Sequence, residues 1–212
     1  MTPRRRTLAA LAAAALLALG AAPKPANAGA LDQLRGFLTD TRSARGEFTQ
    51  KSLRADGSVA ESSSGDFAFA RPGRFRWDVR QPFEQLLVAD GQRLYFFDRD
   101  LNQVTVRRLA DSLASTPAAI LFGDSNLERE FALRELAPRD GLDWVEALPR
   151  SKEAGFERIV LGFRGGLPGA MEVGDAFGRT TVFEFRAIAR NPALAPELFR
   201  FVAPKGVDVL EQ

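Results

Sequence analysis

Residues 71–97 read RPGRFRWDVRQPFEQLLVADGQRLYFF, and the pattern in this stretch decides the fold. Pro72-Gly73 and Asp90-Gly91 are turn dipeptides and Gln81-Pro82 interrupts the run between them, so the stretch divides into three short consecutive strands. In the first, Phe75, Trp77 and Val79 alternate with Arg74, Arg76, Asp78 and Arg80, which puts large apolar groups on one face and charges on the other. In the third, Leu94 and Phe96 share one face while Tyr95 and Phe97 share the other. Three strands with hairpin-length connections make a meander with one greasy face. That face either closes on itself as a core or stays open to hold something apolar.

The flanks extend the meander. Upstream, Ala44 to Leu53 reads as a strand with Phe48 on its apolar side, and Asp56-Gly57 turns it into a long strand, Ser58 to Phe69, with Val59, Gly65, Phe67 and Phe69 on one parity. Before them, Leu31, Leu34 and Leu38 recur at helical spacing and predict an amphipathic helix over 29–41 that needs a surface to lie on. Downstream, Gln103 to Leu109 adds a strand, and then Thr116-Pro117 interrupts with an N-cap and first-turn proline that start a short helix through Ala118, Ala119, Ile120, Leu121 and Phe122. This helix is apolar nearly all round, so it is either a plug of the core or a cover over a cavity. Strands resume at Phe131–Ala137, Leu142–Leu148, Phe156–Phe163, Ala170–Val173 and Arg179–Ala189, with Gly165-Gly166-Leu167-Pro168 as a turn and a short final strand near Phe199 and Phe201. About eleven strands in an antiparallel, up-and-down order are too much sheet to lie flat. The expected fold is mainly β: a strongly bent, unclosed half-barrel with its helical pieces on the concave side. For Phe48, Phe67, Phe69, Phe183 and Phe185, core and cavity are both buried apolar surface and stay open as alternatives.

The first 28 residues have the form of a secretory signal peptide. Arg4, Arg5 and Arg6 precede an alanine- and leucine-rich segment from Leu8 to Leu19, and Ala26-Asn27-Ala28 fits a small-x-small cleavage site. The segment is too short to span a bilayer. The expectation is an exported, periplasmic chain cleaved between Ala28 and Gly29, folded as one domain over 29–212. Thr7-Leu8 after the arginines, with no cofactor motif downstream, favours ordinary secretion over the twin-arginine route. Without Arg4, Arg5, Arg6 and Lys24, 25 basic residues stand against 27 acidic ones, so the basic pI belongs largely to this segment and the electrostatic case for nucleic acid falls away. Zero cysteines exclude disulfides, thiolate catalysis and a lipidated cysteine; zero histidines exclude Ser-His-Asp triads and histidine metal sites. The carboxylate pairs Asp98/Asp100 and Glu128/Glu130 sit in turn or solvated-face contexts. No catalytic group, cofactor or metal is expected.

Several pieces together resemble the LolA family of periplasmic lipoprotein carriers: FTQK at 48–51, ARPGRFRW at 70–77, QPFEQLLVADGQRLYFFD at 81–98, TPAAIL at 116–121 and FRFVAPKGVDV at 199–209. They run from one end of the expected mature chain to the other in the family's order. The resemblance implies an unclosed antiparallel β-barrel with a helical lid. It also implies a monomeric, non-enzymatic shuttle for lipoprotein acyl chains, loaded by a LolCDE-type inner-membrane ABC transporter and emptied to a LolB-type outer-membrane receptor. That receptor carries a lipidated cysteine, which this chain lacks. Carried over residue by residue, the family's lid-binding arginine falls on Arg71, its cavity-rim phenylalanine on Phe75 and its cavity tryptophan on Trp77. Leu94 and Phe96 share the face of Phe75 and Trp77 and are expected to line the cavity with them. The lid helix falls on Thr116–Leu121, with Ala118 and Ala119 where bulky side chains are usual and Phe122 as the substitute. A carrier of another lipid, or a lipid-sensing module of the same half-barrel, is the alternative.

Overall fold

The computed structural model describes residues 28–110, 120–121, 127–151 and 154–212. A helix, α1 (Ala30–Asp40), is followed by β1 (Ser43–Leu53), β2 (Val59–Ala70), β3 (Arg74–Gln81), β4 (Gln85–Asp90), β5 (Arg93–Asp98) and β6 (Gln103–Arg108). A one-turn helix over Leu127–Glu130 leads into β7 (Phe131–Arg139), β8 (Leu142–Pro149), β9 (Arg158–Arg164), β10 (Leu167–Gly174) and β11 (Thr180–Arg190). A 3-10 turn at Pro196–Phe199 and a last strand, β12 (Asp208–Glu211), complete the described chain. Thr116, Pro117, Ala118, Ala119 and Phe122 of the expected lid helix, and the expected signal segment up to residue 27, lie outside the described residues.

All twelve described strands form one sheet in the order β12-β6-β5-β4-β3-β2-β1-β11-β10-β9-β8-β7. The expected single up-and-down order needs two corrections. Two meanders, β1–β6 and β7–β11, are joined through the antiparallel pairing of β1 with β11, and β12 pairs with β6 in parallel. The chain therefore crosses outside the sheet after β11 to reach the far edge, and the 3-10 turn packs on β3 and β4 on the way. Phe199 and Phe201 belong to this crossing and not to a strand, because their rings are used to cover apolar surface instead of extending a ladder. The turn after β9 is also shorter than expected. It uses Gly165 and Gly166, while Leu167 and Pro168 already pair with Arg164 and Phe163, the irregularity at Pro168 being absorbed by a shift in register before Ala170.

The sheet bends around Phe37. The ring of Phe37 lies 6.1 Å from Phe69 on β2 and 6.3 Å from Phe163 on β9. Those strands are four spacings apart, about 19 Å in a flat sheet, yet two rings that both touch Phe37 are at most about 12 Å apart. The face carrying them is therefore concave. Among the described residues the edge strands β7 and β12 do not pair with each other, so the barrel stays open.

α1 lies in this concavity with Leu34, Phe37 and Leu38 buried, a wider stripe than the leucine spacing alone indicates. Its ends are tied by distant residues. Gly29 offers no side-chain cap, and Glu135 of β7 accepts from the Leu31 amide at 3.0 Å, placing a carboxylate at the positive end of the helix. At the other end Asn191 donates from Nδ2 to the Asp40 carbonyl at 2.9 Å while its Oδ1 accepts from the Arg42 amide at 2.8 Å.

The convex face is charged over most of its area but apolar in two places. Leu86, Val88, Phe97, Val104 and Val106 form a second cluster covered by Phe201, whose ring is 5.2 Å from Tyr95 and 5.9 Å from Phe97. Farther round, Trp144 packs with Leu142 and Val160 under the guanidinium of Arg139, 3.9 Å from its ring.

Glu146 and two arginines form an ion cluster on the convex face. Glu146 of β8 is buried and bonded to Arg158 Nε and Arg134 Nη2, both at 2.7 Å. Burial pushes its carboxyl up, but the hydrogen bonds and charges of Arg158 and Arg134 pull it down further, and the net pKa is lowered. Asp90, Asp56 and Asp175 are lowered as well, held by backbone and side-chain donors in their turns against desolvation. A carboxylate with a folded pKa below its unfolded one stabilises the fold fully above the unfolded value, and that contribution disappears as pH falls through the folded value. Urea midpoints should be level between about pH 7 and pH 5 and fall below about pH 4, and Glu146→Gln should make the acid limb shallower. An acid limb of unchanged slope in Glu146→Gln would show that the cluster does not couple to folding.

Candidate functional site

The candidate site is the aromatic part of the concave face and the arginine at its upper edge. Register places Phe185 of β11 opposite Phe48 of β1, Phe48 opposite Gly65 of β2, Phe67 opposite Trp77 of β3, and Trp77 opposite Leu87, which faces Phe96 of β5. Trp77 stacks on Phe48 with centroids 3.8 Å apart and makes edge contacts with Phe183 at 5.7 Å and Phe185 at 6.4 Å. Gly46 and Gly65 leave the room for this. A Cβ on Gly46 would meet the Phe67 ring at 2.8 Å, and one on Gly65 would meet the Asp78 carbonyl oxygen at 1.9 Å.

The structure divides the residues singled out from the sequence into two groups. Phe48, Phe67, Phe69, Leu94 and Phe185 are buried core, and so is Phe75, which is only 3% exposed. The rim position that the resemblance implies for Phe75 is thus not solvent-facing here; the ring points into the cluster with Phe69 and Ala89 because β3 pairs Phe75 with both. Trp77, Leu87 and Phe183 are half-buried and Phe96 is 38% exposed, so these form the open apolar strip of the concave face. Core and strip are continuous. Ile120 and Leu121 are helical and buried against the same cluster.

Arg71 follows β2, where the Pro72-Gly73 turn, with Gly73 at φ +65°, reverses the chain into β3. Its backbone amide donates to the Arg42 carbonyl at 2.8 Å. Its Nε donates to the Thr41 carbonyl at 3.0 Å and its Nη2 to the Leu121 carbonyl at 2.7 Å, with the guanidinium 5.0 Å from the Phe69 ring. One planar cation thereby bridges the end of α1 and the helical segment containing Leu121. A lysine could not reproduce this fork. Thr41, which supplies one of the two carbonyls, is fully buried, and its hydroxyl finds no hydrogen-bond partner. Nothing in the sequence pattern marks Thr41 or Asn191, since their partners lie 30 and about 150 residues away.

The four carboxylates with lowered pKa values lie in turns or on the convex face, and no group of three or more potential metal ligands occurs among the described residues. A cleft of about 550 Å³ beside α1, whose lining includes Gln33, Asp143 and Arg164, shares no residue with the aromatic strip. Gln33 in its wall is held structurally, donating to Asp143 at 2.7 Å and accepting from the Gly166 amide at 2.9 Å. The concave face presents a partly open apolar strip beside the Arg71 bridge.

Comparison with known proteins gives the same direction. Residues 39–202 match the family model described as outer membrane lipoprotein carrier protein LolA. An outer-membrane lipoprotein carrier protein of Cupriavidus necator is 50% identical over 205 residues, spanning 95% of this chain and 97% of its own length. One from Ralstonia nicotianae is 51% identical over 207 residues, spanning 95% and 96%. Among solved structures, an uncharacterized conserved protein from Thermus thermophilus shares the fold at 14% identity, with a TM-score of 0.54 over 86% of this chain and 96% of that one.

Proposed function

The chain belongs to the LolA family of outer-membrane lipoprotein carrier proteins, and on that premise we propose how its concave face carries lipoproteins across the periplasm. The protein is a carrier and not an enzyme. An acyl chain gains roughly 0.8 kcal/mol for each methylene taken out of water, so acylated cargo needs a dry, non-directional surface and no reactive group. The strip of Trp77, Leu87, Phe96 and Phe183, backed by the buried phenylalanines, supplies it. The helical segment of Ile120 and Leu121 acts as the cover, and Arg71 is its latch. Loading from a LolCDE-type transporter and delivery to a LolB-type receptor are the finer parts of this reading, as are cleavage between Ala28 and Gly29 and action as a single domain over 29–212.

The observation that carries the proposal is the bridge from Arg71 to the Thr41 and Leu121 carbonyls directly above the aromatic face. A charge-assisted bond is worth roughly 1.5–3 kcal/mol, so opening costs energy and lowers the apparent affinity for lipid, which lets the carrier release what it holds. Titration with a dansylated fatty acid tests the pocket. Binding should saturate and change tryptophan emission, and the change should vanish in Trp77→Phe while persisting in Trp144→Phe, because Trp144 is on the convex side. Absence of saturation, or a signal that follows Trp144, would place the hydrocarbon elsewhere.

A further inference from the structure

Strand pairing fixes three rows of side chains across the concave face from β3 to the edge strand β12. In the middle row Trp77 stands opposite Leu87, Leu87 opposite Phe96, Phe96 opposite Thr105 and Thr105 opposite Leu210. Paired residues share a face of the sheet, so this row continues the aromatic strip without changing sides. Toward the Arg71 end, Leu94 faces Arg107, whose Nε donates to the Gln212 side-chain oxygen at 2.9 Å. Toward the other end, Gln85 donates to Asp98 at 3.1 Å, Asp98 faces Gln103 and Gln103 faces Asp208. Over β5, β6 and β12 the middle row is therefore an apolar furrow between polar banks, interrupted only by Thr105, which is small and half-buried. Exposure gives the furrow a direction: Trp77 and Leu87 are half-buried, Phe96 is 38% exposed and Leu210 is 44% exposed. From β3 to β12 are four strand spacings, about 19 Å along the sheet.

We propose that this furrow is the outer half of the acyl site: one hydrocarbon chain of the cargo lies across the strands, its inner end against Trp77 and its outer end against Leu210, and leaves the barrel over the open edge at β12. The inference rests on the reading of the concave face as the lipid site and adds to it the path and length of the chain. A furrow one side chain wide takes a single unbranched chain, and the polar banks keep that chain in the row because hydrocarbon gains nothing on them. Length selection follows. A chain that spans the row gains the contact with Leu210, and a shorter one lying against Trp77 and Phe96 does not reach it.

The test is competition by hexadecanoate and by decanoate for the dansylated fatty acid on the mature chain. Extended hexadecanoate spans the row, and decanoate covers little more than half of it. Leu210→Asp should weaken hexadecanoate roughly five- to tenfold and leave decanoate within about twofold of the parent, because only the longer chain loses a buried apolar contact. Val209→Asp is the control. Val209 lies on the same strand but pairs with Val104 on the convex side, so both acids should stay within about twofold. Silence of Leu210→Asp toward both acids overturns the inference, and so does an equal loss of both, which would assign the effect to the edge strand as a whole. A loss of hexadecanoate in Val209→Asp as large as that in Leu210→Asp overturns it too. Phe96→Asp separates the premise from the inference, since both acids should reach Phe96. If that variant binds both as the parent does, the concave site itself fails; if it weakens both while Leu210→Asp is silent, only the path over β12 fails.

Discussion

Arg71→Leu is expected to load lipoprotein at least as well as the parent and to deliver it at least tenfold more slowly. The substitution keeps side-chain bulk but removes the guanidinium, leaving the Thr41 and Leu121 carbonyls without the cation that joins them. Losing one such bond at about 2 kcal/mol shifts a closed-to-open equilibrium by roughly thirtyfold. Leucine also adds apolar surface next to Phe69, over which the guanidinium now sits at 5.0 Å. Both changes favour the lipid-filled form, so the defect should appear on release. Arg71→Lys should be intermediate, since an ammonium keeps the charge but cannot span two carbonyls in one plane. Loading from inner-membrane vesicles and transfer to outer-membrane vesicles are measured separately. Normal transfer by Arg71→Leu, in a protein with parental circular dichroism, would remove the latch from the mechanism.

The largest stability loss is expected at Gly65. An added Cβ would lie 1.9 Å from the Asp78 carbonyl oxygen and 2.8 Å from its carbon, both backbone atoms of β3, where the β2–β3 register shifts between Ser64 and Gly65. A strand cannot yield as a flexible side chain can, so β2 and β3 must separate beside the Phe48–Trp77 stack. Gly65→Ala should cost about 3 kcal/mol or more, lowering Tm by roughly 6–12 °C for a chain of this size. Gly57→Ala is the control. That residue has φ +81° but nothing within 4 Å, so its cost is the backbone term alone, about 1 kcal/mol. Equal melting temperatures for the two variants would show that β3 can move aside, and the close approach would not be what requires glycine.

Much of the concave face was legible in residues 48–97 because strand side chains alternate and turn dipeptides act over a few residues. Phe75, Trp77 and Val79 do share a face with Phe48 and Phe67, and Leu94 with Phe96, as the parity indicates. Parity cannot tell how deep each residue sits. Phe75 and Phe96 lie on the same face, yet one is enclosed by Phe69 and Ala89 and the other is 38% exposed, a difference made by position along the strand relative to α1 and to the segment with Leu121. Tyr95 and Phe97 were visible as a second apolar face, but their cover, Phe201, arrives from more than a hundred residues away.

Local chemistry in the sequence determined the strand and turn pattern, the amphipathic first helix, the absence of histidine and cysteine chemistry, and the arginine beside a Pro-Gly turn. Each of these depends on neighbours within about one turn or one hairpin. Tertiary structure alone decided that β1 joins β11, that β12 returns in parallel to β6, that Asn191 and Glu135 tie the two ends of α1, and that Arg71 meets both Thr41 and Leu121. The physical reason is that a ladder or a backbone carbonyl accepts almost any partner of suitable geometry. Which distant segment arrives is chosen by the curvature that buries Phe37 between Phe69 and Phe163, and that choice is a property of the whole sheet.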